Sequence, residues 1–144
     1  MTETLAITAP IEIVEGFWDA MRRSDLPALD ALLADTVRWE NVGLPTVRGR
    51  ITVMRALSSL NLPGAGFDVK IHRITVNGNT VMTERTDVII VGRLHIAFWV
   101  CGVTELSADG KVTLWRDYAD VWNLTKGLAR GILGIVVPAL RPKL

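Results

Sequence analysis

Apolar residues follow a helical spacing through most of the first sixty positions and an alternating one from about residue 66. Ile11, Val14, Phe17, Trp18 and Met21 predict a helix over 9–23, with Pro10 in its first turn. Ser24 is placed to cap a second short helix, "LPALDALLA", with Pro27 in its first turn. "TVRWENV" reads as a short strand running into the Gly/Pro loop "GLPTVRG". Ile51, Met54, Leu57 and Leu60 predict a third helix over about 50–60. Then "FDVKIHRITV", "TVMTERTDVII", "LHIAFWVCGVTEL" and "VTLWRDYADVW" read as four strands, joined by the turns "NGN", "VGR" and "SADGK". The tail is helical to about Val137, where Pro138 should end it.

Helices followed by a four-strand meander predict an α+β fold. Its expected form is a curved antiparallel sheet wrapped by the N-terminal helices into a cone-shaped cavity. A length of 144 residues favours one domain over 1–144, and 49% apolar residues suffice for a full core. The net charge of +1 gives no reason to expect a nucleic-acid partner. Cys101 is the single cysteine, which excludes an internal disulfide and a cysteine-based zinc site. His72 and His95 lack zinc-ligand spacing, so no metal is expected. A lone thiol fits a reducing, cytoplasmic setting. The first ten residues carry no basic start or long apolar run, so no secretory signal is expected. No stretch reaches the roughly 18 clean apolar residues of a spanning helix.

Against this background "TERTDVII" stands out. Alternation puts Thr83, Arg85, Asp87 and Ile89 on one strand face. In "LWRDYAD", Trp115 and Asp117 share a face; in "WEN", Trp39 and Asn41 do. In an antiparallel meander Asp87 and Asp117 can both reach Arg85, forming an Asp–Arg–Asp chain inside the cavity. Each piece also has a plainer reading: a surface ion pair, a turn aspartate, a core tryptophan with an incidental neighbour. The apolar surroundings favour the joint reading, because a buried charge must be paired.

These blocks carry a family resemblance. "RWENVGLPTVRGR", "VKIHRI", "TERTDVIIVGRLHIAFWVCGV" and "TLWRDYADVW" resemble the limonene epoxide hydrolase family, its mycobacterial-type members in particular. The resemblance runs from about residue 10 to the C-terminus. It implies the cone-shaped fold shared with nuclear transport factor 2, and one-step hydrolysis of an epoxide without cofactor or metal. Carried over, Asp117 is the general base, Asp87 the general acid, Arg85 the bridge, and Asn41 positions the water. The family usually has tyrosine where this chain has Trp39. An indole N–H can donate but not accept, so Trp39 either replaces the hydroxyl as donor or fills the water's place. The same fold also hosts isomerases and dehydratases that use one aspartate base, and non-catalytic binders of lipophilic ligands. The Asp–Arg–Asp set speaks against the first, whereas Trp39 favours the second.

Substrate contact is expected from apolar strand residues. Ile89 shares the face of Arg85, and Trp115 that of Asp117. Leu94 and Trp99 lie on opposite faces of one strand. Both faces are apolar, so alternation leaves open which is inward. An apolar cavity fits a terpene, fatty or steroid epoxide, with water as the second substrate. A sheet apolar on both sides, together with the resemblance, points to a homodimer. In the tail, Leu124, Leu128, Ile132, Ile135 and Val136 form one stripe, with Lys126 and Arg130 away from it. That stripe is expected either to pack on the domain or over the cavity mouth, or to touch a membrane surface.

Overall fold

The structure, a computed structural model, describes the backbone of residues 2–144 and the side chains of residues 9–144. Among these residues four helices and six strands follow one another: α1 (Thr2–Arg23), α2 (Leu26–Leu32), β1 (Leu33–Asn41), β2 (Val47–Arg48) and α3 (Arg50–Leu60), then β3 (Ala65–Asn77), β4 (Thr80–Val91), β5 (Leu94–Leu106), β6 (Val112–Ala119) and α4 (Val121–Val136). Helix α4 ends before Pro138, as expected of a proline, and a 3-10 turn follows at Pro138–Leu140.

The fold is α+β, with one six-stranded sheet in the order β2-β1-β6-β5-β4-β3. The meander β3–β6 is antiparallel, as expected. The sheet as a whole is mixed rather than antiparallel, because β1 lies parallel to β6. This pairing places Trp39 beside Trp115 and Asn41 beside Asp117. On β3 a bulge at His72, between the pairs Ile71–Arg85 and Arg73–Glu84, bends the strand next to Arg85.

Local chemistry corrects three boundaries and one buried face. Helix α1 begins at Thr2, so Pro10 lies inside it and not in its first turn. Asp25, not Ser24, caps α2: its carboxylate accepts from the Ala28 N–H at 3.1 Å, while Ser24 takes a positive φ of 53° in the turn. On α3 the buried residues are Val53 and Leu57, whereas Ile51 and Leu60 of the expected stripe are exposed. Strand β6 stops at Ala119 because Asp120 accepts from the Trp122 N–H and starts α4.

The core lies between α1 and the inner sheet face. Val14, Phe17 and Trp18 of α1 are buried there with Leu33, Val37, Val81, Val112 and Trp115. Helix α4 has a different task. Strand β6 pairs β5 only from Val100 onward, leaving the edge of Leu94–Trp99 uncovered by strand. Along that edge α4 packs with Gly127 against the Ala97 carbonyl and Gly131 against that of His95. A Cβ at either glycine would collide with the strand backbone. Asn123 Oδ1 accepts from the Trp99 N–H at 2.9 Å. The Gly127–Gly131 spacing thus lets a helix close a sheet edge.

Candidate active site

Arg85 is fully buried, and its guanidinium donates four hydrogen bonds to three side chains. Nε and Nη2 grip Asp87 Oδ1 and Oδ2, each at 3.0 Å. Nη2 also donates to Asp117 Oδ1 at 2.9 Å, and Nη1 to Thr83 Oγ1 at 2.9 Å. The two carboxyl groups, from β4 and β6, therefore meet on one nitrogen. Trp115 Nε1 donates to Asp117 Oδ2 at 2.9 Å. The Trp18 ring covers the guanidinium, 3.7 Å from its carbon to the ring centre.

The site arises because three strands present alternate residues to one face. Arg85 and Asp87 are two apart on β4; Trp115 and Asp117 are two apart on β6; Gly102 of β5 lies between Thr83 and Asp117. Asn41 and Trp39 join from β1. The rings of Trp39 and Trp115 stack with centroids 4.6 Å apart and planes 13° apart. Trp39 Nε1 is buried and has no hydrogen-bond partner among the described residues.

Burial works on this set unevenly. Desolvation pushes the Asp87 carboxyl above its usual range, although its hydrogen bonds to Arg85 and that charge pull the other way. Desolvation also opposes the Arg85 charge, but Asp87 and Asp117 outweigh it and hold the guanidinium above its ordinary value. With both carboxyls ionised the set would carry a net −1 out of water. One shared proton makes it neutral, and the proton then belongs to the coupled set.

The substrate-contact expectations divide. Ile89 continues the Asp87 face and lines an apolar cavity of about 240 Å³ with Met21, Leu29, Leu57, Phe67 and Val91. Trp115 is buried, and its N–H is committed to Asp117. Leu94 lies against Gly131 of α4. Trp99 pairs with Thr86, the residue between Arg85 and Asp87, and so sits on the opposite sheet face, 44% exposed. On that outer face His72 Nε2 pairs with Thr86 Oγ1 at 2.8 Å.

Three contributors escaped the sequence reading. Thr83 was within its reach, since alternation already placed it beside Arg85. Gly102 needed the strand register: a Cβ there would overlap Arg85 Nη1 and sit 2.8 Å from Asp117 Oδ1. Trp18 stood out only as a helix core residue.

Fold and cluster together define an α+β domain with two buried carboxyl groups sharing one arginine on the inner face of its sheet. A solved NTF2-like protein from Burkholderia pseudomallei shares that fold, with a TM-score of 0.71 at 17% identity over 83% of this chain and 97% of the other. More specifically, residues 8–130 match the family model of the limonene-1,2-epoxide hydrolase catalytic domain. Epoxide hydrolase EphG of Mycobacterium tuberculosis is 46% identical over 145 residues, covering 99% of this chain and 94% of that protein. The solved structure of an M. tuberculosis LEH-like epoxide hydrolase matches with a TM-score of 0.91 at 46% identity, over 96% of this chain and 97% of the other. The chain belongs to the limonene-1,2-epoxide hydrolase family and is an epoxide hydrolase of that type.

Proposed function

We propose that the chain adds water to a lipophilic epoxide in one step, giving a vicinal diol, with Asp117 as base, Asp87 as acid and Arg85 holding both. The observation that carries this reading is the single guanidinium nitrogen shared by two buried carboxyl groups. Ring opening needs a proton on the epoxide oxygen while the attacking water loses one. Two carboxyls do both jobs when one is protonated and one ionised. Burial favours the proton on Asp87, which gives it to the epoxide oxygen as the carbon–oxygen bond breaks. Asp117 takes the proton of the water whose oxygen bonds to carbon. Asn41, beside it in the ladder, accepts the water's second hydrogen, and the free Trp39 N–H donates to the same water. Return of the proton from Asp117 to Asp87 resets the site.

The apolar cavity lined by Ile89, two residues along β4 from Asp87, supports a terpene, fatty or steroid epoxide as substrate. Met82, Trp99 and Tyr118, exposed on the outer sheet face, suit a second copy of the chain, and sedimentation equilibrium tests this homodimer. A reduced lone Cys101 suits a cytoplasmic setting, which cell fractionation tests.

The reaction is tested with a panel of terpene, aryl, fatty and sterol epoxides in oxygen-18 water under single turnover. Label in the first diol formed is the expected result. No diol from any epoxide would overturn the activity, and an unlabelled first diol would overturn direct attack by water.

A further inference from the structure

Helix α4 wears its apolar side outward. The side against the protein is made of Gly127, Gly131 and Gly134, all buried. The exposed side carries Val121, Trp122, Ile132, Leu133 and Val136, with Val121 79%, Trp122 67% and Val136 80% exposed. At about 100° per residue the glycines span roughly 60°, and the apolar arc from Leu124 round to Leu133 spans roughly 180° on the other side. Lys126 and Arg130 fall between that arc and the glycines. A helix that only packed on its own domain would turn this arc inward.

Charge singles out the occupant. Residues 121–144 include Lys126, Arg130, Arg141 and Lys143, and no Asp or Glu. The course of α4 past Ala97 and then His95 takes it towards the β4–β5 turn, where Arg93 adds another exposed cation. Lys126 stands 5.8 Å over the exposed Trp122 ring. Helix-to-helix pairing of two copies about a twofold axis would press Lys126 and Arg130 of one copy towards those of the other, while the nearest carboxylate of the helix, Asp120, sits at its far N-cap. An anionic lipid surface meets both features, apolar arc and basic flank.

We propose that α4 and the tail after it dock on an anionic lipid surface. The apolar arc enters the boundary between headgroups and acyl chains, and the basic side chains meet the phosphates. Among the described residues no helix is long and apolar enough to cross a membrane, so this contact lies on the bilayer. It stands independently of the reaction.

Flotation of the whole protein with phosphatidylcholine vesicles, with and without phosphatidylglycerol, tests it. The expected result is binding to the anionic vesicles that weakens at high salt. Lys126→Glu with Lys143→Glu should lower that binding by roughly 30-fold or more. Ile132→Ser with Val136→Ser should also abolish it while the melting temperature holds. Failure of the wild type to float with anionic vesicles, or equal binding to neutral ones, would overturn the proposal. So would serine variants that bind like wild type, or that turn a dimer into monomers.

Discussion

Gly102→Ala is the sharpest probe of the cluster. The added methyl overlaps Arg85 Nη1 and comes within 2.8 Å of Asp117 Oδ1 and 3.2 Å of Thr83 Oγ1. Arg85 cannot swing aside freely, because four hydrogen bonds fix it. Overpacking a core costs about 1–3 kcal/mol, and losing the Arg85–Thr83 bond adds about 1.5–3 kcal/mol. Alanine recovers about 0.5–1 kcal/mol in a strand. The net expectation is a loss of about 2–5 kcal/mol, or roughly 6–15 °C in melting temperature for a domain of this size. On the proposed mechanism, a shift of about 1 Å in the two carboxyl groups should lower kcat about a hundredfold. Calorimetry and steady-state hydrolysis read the two effects. Gly16→Ala is the control: Gly16 is exposed on α1 with nothing near its Cβ position, so that variant should gain about 0.5–1 kcal/mol. A Gly102→Ala protein melting within about 1 °C of wild type at half its turnover or better would refute this account of the packing.

Asp117→Asn keeps the shape and removes the base, so kcat should fall by about 10²–10⁴ with unchanged circular dichroism; near-native turnover would place the base elsewhere. Asp87 has a folded pKa raised by desolvation, so its neutral form favours folding. That contribution is complete below the unfolded value of about 3.9 and is lost as pH rises through the folded one. Asp87→Asn should therefore flatten this fall in melting temperature with pH, and superimposable profiles would contradict it. The same ionisation should lower kcat on its alkaline side, because the acid is spent. Trp39→Phe keeps the stack on Trp115 but removes the N–H, so kcat should drop up to roughly tenfold while Trp39→Tyr stays near wild type. A gain of about a hundredfold in Trp39→Tyr would mean that the indole occupies the water's place.

The cluster around Arg85 was legible because strand alternation is a local rule. It put Arg85 with Asp87 and Trp115 with Asp117 before any register was known. The partnership of β1 with β6 was not, since its two strands are far apart in the chain and nothing near Trp39 announces a parallel neighbour. Gly102 stayed hidden for a similar reason: an isolated glycine in a strand signals close approach only once its neighbours are known. In α4 the periodicity located the apolar stripe correctly, yet glycines took the buried side, because closeness to the β5 backbone decided the packing. Ser24 and Asp25 are both capping residue types, and only backbone geometry separates them.

The side-by-side placement of β1 and β6 also sets an order of events. Glu40 of the first strand and Arg116 of the last are ion-paired across 76 positions of chain. During synthesis β1, with Trp39 and Asn41, emerges early and waits for β6, with Asp117, until most of the polypeptide has left the ribosome. Closing so long a loop is slow and entropically unfavourable, so the joining of β1 to β6, which brings Asn41 beside Asp117, becomes a marker that folding has finished.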